Sequence, residues 1–156
     1  MNLRRARPDE APLLASIAYA AKAMWGYSPA QLALWAGELG PDAQSIANHP
    51  TWIAESDGAA AGFCQLRIDG PSAQLEHLWI APLYMRQGFG AQLLEHARGV
   101  AAMAGVREMR VDSDPNAEAF YLAQGWRRAG ATPAPVEGDP GRVLPLLVLV
   151  VDAARE

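Results

Sequence analysis

The chain has a single cysteine, Cys64, in 156 residues. No intrachain disulfide can form, and no thiolate metal cluster can be built. Long apolar runs are missing too. The longest, Leu144-Pro145-Leu146-Leu147-Val148-Leu149-Val150-Val151, falls far short of the roughly 20 residues that span a bilayer, and it reads as a buried strand. The basic start, Met1 to Pro8, has no apolar stretch behind it and does not read as a secretory signal. The expectation is a cytoplasmic protein with no membrane partner. Positive charge is in short supply: 13 Lys and Arg against 17 Asp and Glu give a net charge of −4. That balance argues against a nucleic-acid partner, whose binding would depend on neutralising phosphates. Internal repeats and low-complexity linkers are absent, so residues 1–156 are expected to form one domain with no bound metal.

What the chain does have is 51% hydrophobic and 19% charged residues, the composition of an ordinary globular core. Leu3 to Arg5 reads as a short strand. Pro8-Asp9-Glu10 opens a helix whose apolar positions Leu13, Leu14, Ile17, Ala18, Ala21 and Met24 recur at three and four. A second helix is expected from Pro29 to Leu39, closed by Gly40-Pro41. The period then changes. Thr51 to Glu55, Ala60 to Ile68 and Ala73 to Ile80 read as three successive strands, separated by Asp57-Gly58 and Asp69-Gly70-Pro71. A helix from about Ala91 to Ala104 follows, then a strand at Glu108 to Val111, a helix at Asn116 to Ala123, and strands from Trp126 onward and from Arg142 to Val151. The order predicts a mixed α/β sheet and not a regular βαβ alternation.

The sharpest local feature is Met85-Arg86-Gln87-Gly88-Phe89-Gly90-Ala91, between a strand and a helix. Glycines let backbone amides approach an anion closely, and the helix that follows aims unpaired N–H groups and a positive dipole end at the same spot. A pyrophosphate suits such a place, and Arg86 adds a mobile charge. A Walker loop is excluded because Gly-Lys-Ser/Thr is absent, and a dinucleotide fingerprint because Leu93 stands where its third glycine belongs.

This loop, after Leu78-Trp79-Ile80-Ala81-Pro82, resembles that of the Gcn5-related N-acetyltransferase (GNAT) superfamily, with Met85 where the family usually has Gln or Arg. The segment Asp114-Pro115-Asn116-Ala117-Glu118-Ala119-Phe120-Tyr121-Leu122-Ala123-Gln124-Gly125-Trp126 resembles a second family motif, with Trp126 replacing the usual Phe. The resemblance implies a GNAT-like fold whose fourth and fifth strands are parallel and splay apart. It implies acetyl-CoA as cosubstrate, with pantetheine against the backbone of Leu78 and Ile80 and the pyrophosphate held by Arg86, Gln87, Gly88, Phe89, Gly90 and Ala91. The implied activity is acetyl transfer to a primary amine of a small molecule or peptide. The alternative is a non-catalytic acyl-CoA-binding module with the same fold.

Tyr121 is the candidate general acid: a phenol of pKa about 10 can hold a proton near neutrality and give it to a departing thiolate. The plainer reading is an aromatic that packs its helix, with Phe120 beside it the more natural core residue. Asn116 reads either as a helix cap or as a cofactor hydrogen-bond donor. Glu76 is the best-placed base, on the same strand face as Leu78, where burial would raise its pKa; the competing reading is a solvent-facing acid. His77 points to the opposite face and is a poorer base, while His49 and His96 read as a loop residue and a helix-surface residue. Cys64 reads as a small core residue and not as a nucleophile. Trp25, Tyr27 and Trp35 fall around the first interhelical turn, which in the family lines the acceptor pocket, and aromatic faces attract cations. Lys22 and Arg142 could frame that pocket. The sequence allows a homodimer and does not require one.

Overall fold

The computed structural model describes residues 1–152. Seven strands form one sheet with hydrogen-bonded neighbours in the order β1-β2-β3-β4-β5-β7-β6. Five α-helices and three single-turn 3-10 helices complete the described residues, so the expected mixed α/β sheet is present. The contacts divide the chain into two compact units, Met1–Arg67 with Glu76–Ala97, and Ile68–Leu75 with the chain from Arg98 onward.

In the first unit, β1 (Asn2–Arg5) runs antiparallel to β2 (Thr51–Ser56), and β2 runs antiparallel to the start of β3 (Ala59–Asp69). The β2–β3 turn has Asp57 and Gly58 at positive φ, as a two-residue hairpin demands. α1 (Ala11–Ala23) is entered through the 3-10 turn Pro8–Glu10. Glu10 locks that entry: Arg4 donates to both of its carboxylate oxygens at 2.8 and 2.7 Å, and the Arg7 amide donates at 2.9 Å. The Arg4 guanidinium holds the Glu10 carboxyl down at about 2. Leu14, Ile17 and Ala18 of α1 meet Leu39, Ile46, Ile53 and Phe63 in a buried cluster. Leu13 and Met24, expected on that face, are instead 40% and 59% exposed.

The second helix is shorter than expected. α2 spans Pro29–Trp35, capped by the Ser28 side chain, and Ala36 to Gly40 form turns that bring Leu39 into the core. A further helix, α3 (Ala43–Asn48), was not expected. Its one buried side chain, Ile46, shows no periodicity, and its signal is the Asp42 cap, which accepts from the Ser45 amide at 2.7 Å. β4 (Ser72–Ile80) ends in this unit, beside β3 at Gly62, where an added Cβ would meet the Trp79 carbonyl oxygen and Ile80 Cδ1 at 2.6 Å each.

In the second unit the start of β4 pairs in parallel with β5 (Glu108–Asp112), registered as Ser72–Gln74 against Glu108–Arg110. α4 (Phe89–Met103) leads to β5, and α5 (Glu118–Ala123) follows it. β7 (Val143–Val150) runs antiparallel to β5 and to β6 (Arg127–Pro133), the exposed edge strand. Met109, Val111, Leu147, Val148, Tyr121 and Trp126 are buried here. No helix among the described residues is long and apolar enough to cross a membrane.

Candidate active site

The glycine loop belongs to the first unit. After the 3-10 turn Pro82–Tyr84 the backbone enters the left-handed region twice, at Arg86 (φ 62°) and Gly88 (φ 87°), and α4 begins at Phe89. Such alternation turns successive N–H groups into one anion-binding concavity. Nearby backbone bonds run from Tyr84 N to Ala81 O, Met85 N to Pro82 O and Gln92 N to Gly88 O. Among the described residues, none uses an N–H of Arg86 through Ala91 as its donor. Arg86, Gln87 and Gly88 are exposed, while the Phe89 ring turns inward against Tyr84, with centroids 5.7 Å apart. Phe89 and Gly90 therefore offer this loop their backbone.

Leu78 and Ile80 lie on β4, both half-buried. Glu76, two residues earlier, is exposed and 3.3 Å from Arg67 Nε. The burial expected for it is not found: its side chain reaches solvent beside a guanidinium. His77 packs against Phe63, and its Nδ1 accepts from the Trp79 indole N–H at 3.2 Å. Burial pushes its pKa down to about 4. Glu76 and His77 share a cleft of about 280 Å³ with Asp42, Ser45, Gln65 and Arg67. Cys64 is buried, with its thiol pushed up to about 12 by desolvation, and cannot serve as a nucleophile near neutrality. His96 is not a surface residue as expected. It is half-buried with its ring 4.2 Å from that of Trp52, and burial lowers its pKa.

Trp25 and Tyr27 do flank the turn after α1, and the cation at their faces is Lys22. Its ammonium lies 5.8 Å from the Trp25 ring, 5.2 Å from Tyr27, 4.5 Å from Trp35 and 5.9 Å from Trp79. Lys22 is 8% exposed, so four π faces surround a largely buried charge.

The second unit holds Asn116 and Tyr121. Asn116 is not the cap of α5, a position held by Ala117 without a side-chain bond; it sits in the 3-10 turn Pro115–Ala117, which Asp114 caps. The Asp114 carboxylate accepts from the Asn116 backbone and side-chain amides, both at 2.8 Å, and pairs with Arg142 at 3.1 Å. Arg142 also donates to the Ala134 carbonyl at 3.0 Å, so the segment between β6 and β7 is tied to the start of α5. Tyr121 is 5% exposed against Trp126, and Phe120 beside it is only half-buried, the reverse of the expected order. Lys22, Trp79, Arg67 and Asp114 were undervalued or missed from sequence. The available signals were the Asp-Pro step for Asp114 and the two-residue spacing that puts His77 and Trp79 on one strand face.

The strand order, the parallel β4–β5 neighbours and the glycine-opened helix after β4 define the acyl-CoA N-acyltransferase class of fold. Residues 47–128, just over half of the chain, match the acetyltransferase (GNAT) domain, and the chain belongs to that family. Solved structures agree on the fold. A Gcn5-related N-acetyltransferase from Rhodopseudomonas palustris is 23% identical with a TM-score of 0.77, covering 96% of this chain and 94% of its own. The PaiA N-acetyltransferase from Thermoplasma acidophilum, in complex with coenzyme A, is 18% identical with a TM-score of 0.77 and covers 96% and 98%. The ribosomal-protein-S18-alanine N-acetyltransferase from Escherichia coli is 22% identical with a TM-score of 0.74 and covers 99% and 96%. No curated protein sequence matches the chain.

Proposed function

We propose that this chain is a single cytoplasmic domain, residues 1–156, that transfers acetyl from acetyl-CoA to a primary amine by direct attack in a ternary complex. The observation that carries the reading is the row of undonated N–H groups from Arg86 to Ala91 at the start of α4. They suit the diphosphate of coenzyme A. Family membership and the coenzyme A bound to the Thermoplasma relative support the same cosubstrate. In this reading the backbone of Leu78 and Ile80 pairs with the pantetheine amides, and Asn116 donates a hydrogen bond to the cosubstrate. Trp25 and Tyr27, closed over Lys22, wall the acceptor side. Glu76 takes one proton from the acceptor ammonium. The freed lone pair forms the C–N bond, the C–S bond breaks, and the leaving sulfur takes the Tyr121 phenol proton. The second proton shed by the nitrogen returns through solvent to Tyr121 and Glu76 gives the first to solvent, so ammonium and acetyl-CoA have become amide, free thiol and one proton.

Free-thiol release from acetyl-CoA with a panel of amines tests the activity. Tyr121→Phe is expected to lower kcat about 10²-fold with little change in acetyl-CoA affinity. Gly62→Ala tests the β4 end: the new methyl would press on the Trp79 carbonyl, which cannot swing aside. A loss of about 2 kcal/mol in stability is expected, with weaker coenzyme A binding by calorimetry. The ion pair of Glu76 with Arg67 favours a second reading, a cofactor-binding module without turnover. Coenzyme A binding without thiol release across the panel, unchanged by Tyr121→Phe, would establish that reading instead.

A further inference from the structure

The cleft shared by Glu76 and His77 has a ligand chemistry of its own. Its floor is Gln65, 2% exposed, whose amide donates to Ser45 Oγ at 2.9 Å and Thr51 Oγ1 at 3.1 Å. Both signs of charge line it, with Asp42 and Glu76 as carboxylates and Arg67 as guanidinium. The Arg67 and Glu76 side chains are 59% and 33% exposed. A pair so open to water contributes little by itself and can exchange partners at small cost.

His77 adds a donor. The Trp79 indole N–H occupies its Nδ1, so the neutral ring carries its proton on Nε2. The Trp79 ring in turn lies beneath the Lys22 ammonium and against Trp25, with ring centroids 5.9 Å apart. A cation on the face of an indole withdraws electron density and strengthens its N–H as a donor, which fixes the tautomer further. A ring that stays neutral down to about pH 4 is too weak a base to deprotonate an ammonium. What His77 offers is an N–H.

We infer that this cleft binds a free amino acid as the acetyl acceptor, the carboxylate held by Arg67 and the His77 Nε2–H and the ammonium by Glu76 and Asp42. The inference rests on the acetyl-transfer reading for its catalytic consequence, but not for the binding itself. Glu76 then faces the nitrogen from which it takes a proton, and His77 acts through orientation.

The test is calorimetric titration of the full chain, without acetyl-CoA, with three pairs of probes: L-alanine and ethylamine, L-lysine and cadaverine, L-phenylalanine and phenethylamine. At least one amino acid should bind about tenfold or more tightly than its decarboxylated partner. Arg67→Gln and His77→Phe should each erase that preference. His77→Gln, which puts an amide N–H near the place of Nε2, should keep most of it. The preference should be flat from pH 6 to 8. In the unmodified protein, imidazole ¹⁵N shifts should show a bare Nδ1 and a protonated Nε2 over that range, an outcome independent of how any variant folds. Equal binding of amine and amino acid, a protonated Nδ1, or a preference untouched by Arg67→Gln would overturn the inference. Turnover of some other amine by a chain that binds no amino acid would overturn it while leaving acetyl transfer intact. Amino-acid binding without turnover would uphold the cleft and remove the catalytic reading.

Discussion

Two buried cations, one in each unit, are accommodated by different means. Lys22 is 8% exposed and lies among the faces of Trp25, Tyr27, Trp35 and Trp79. Arg142 is 7% exposed and grips the Asp114 carboxylate and the Ala134 carbonyl with separate guanidinium nitrogens. Ring quadrupoles attract a charge diffusely and tolerate small displacements, whereas an ion pair in a dry setting is directional and leaves an uncompensated partner when broken. The ring contacts of Lys22 are therefore soft. Around Arg142 position is fixed, and with it the Asp114 hub that holds Asn116.

Substitution can break this contrast at its stiffer end first. Arg142→Met removes the ion pair of the Asp114 carboxylate, whose side chain is 5% exposed, and should cost about 3 kcal/mol by denaturant unfolding. Arg142→Lys should recover part of that loss, since an ammonium can replace the charge but not the second contact. Acid should find the other directional pair. The Glu10 carboxyl sits at about 2 in the fold against an ordinary value near 4.5, so its contribution is complete above about pH 4.5 and is lost as pH falls through 2. A decline of about 2 kcal/mol over that window, missing in Glu10→Gln, is the expected result. Lys22→Met keeps the aliphatic stem and removes the ammonium. It should be the mildest, about 1 kcal/mol by thermal unfolding, with a change in tryptophan emission. A larger loss for Lys22→Met than for Arg142→Met would reverse the comparison.

Legibility in the sequence followed the range of the forces involved. The glycine loop was readable because positive φ and amide exposure are local properties of Arg86 to Gly90. The β2–β3 hairpin was readable for the same reason at Asp57-Gly58. α3 was not, because a six-residue helix with Ile46 as its buried residue has too little pattern to register a period. Tyr121 and Phe120 were ranked in the wrong order of burial because α5 is short, and the packing of Trp126 decides which ring turns inward. Asp114 was passed over in favour of Asn116 since both are capping residues, and only the fold shows which one accepts. The Lys22 cage needed Trp79, delivered by a strand far along the chain, so its rings were recognisable while their guest was not.

The outer strand of the sheet carries a consequence of a different kind. β6 is exposed along its whole length, the arrangement that invites another chain to add itself by main-chain pairing. Its sequence resists this: Arg127 and Arg128 would repel a like copy, the register shift between Arg128 and Gly130 interrupts a flat template, and Pro133 ends the row without an N–H to donate. Growth of the sheet by edge-to-edge pairing is thus opposed along the β6 border.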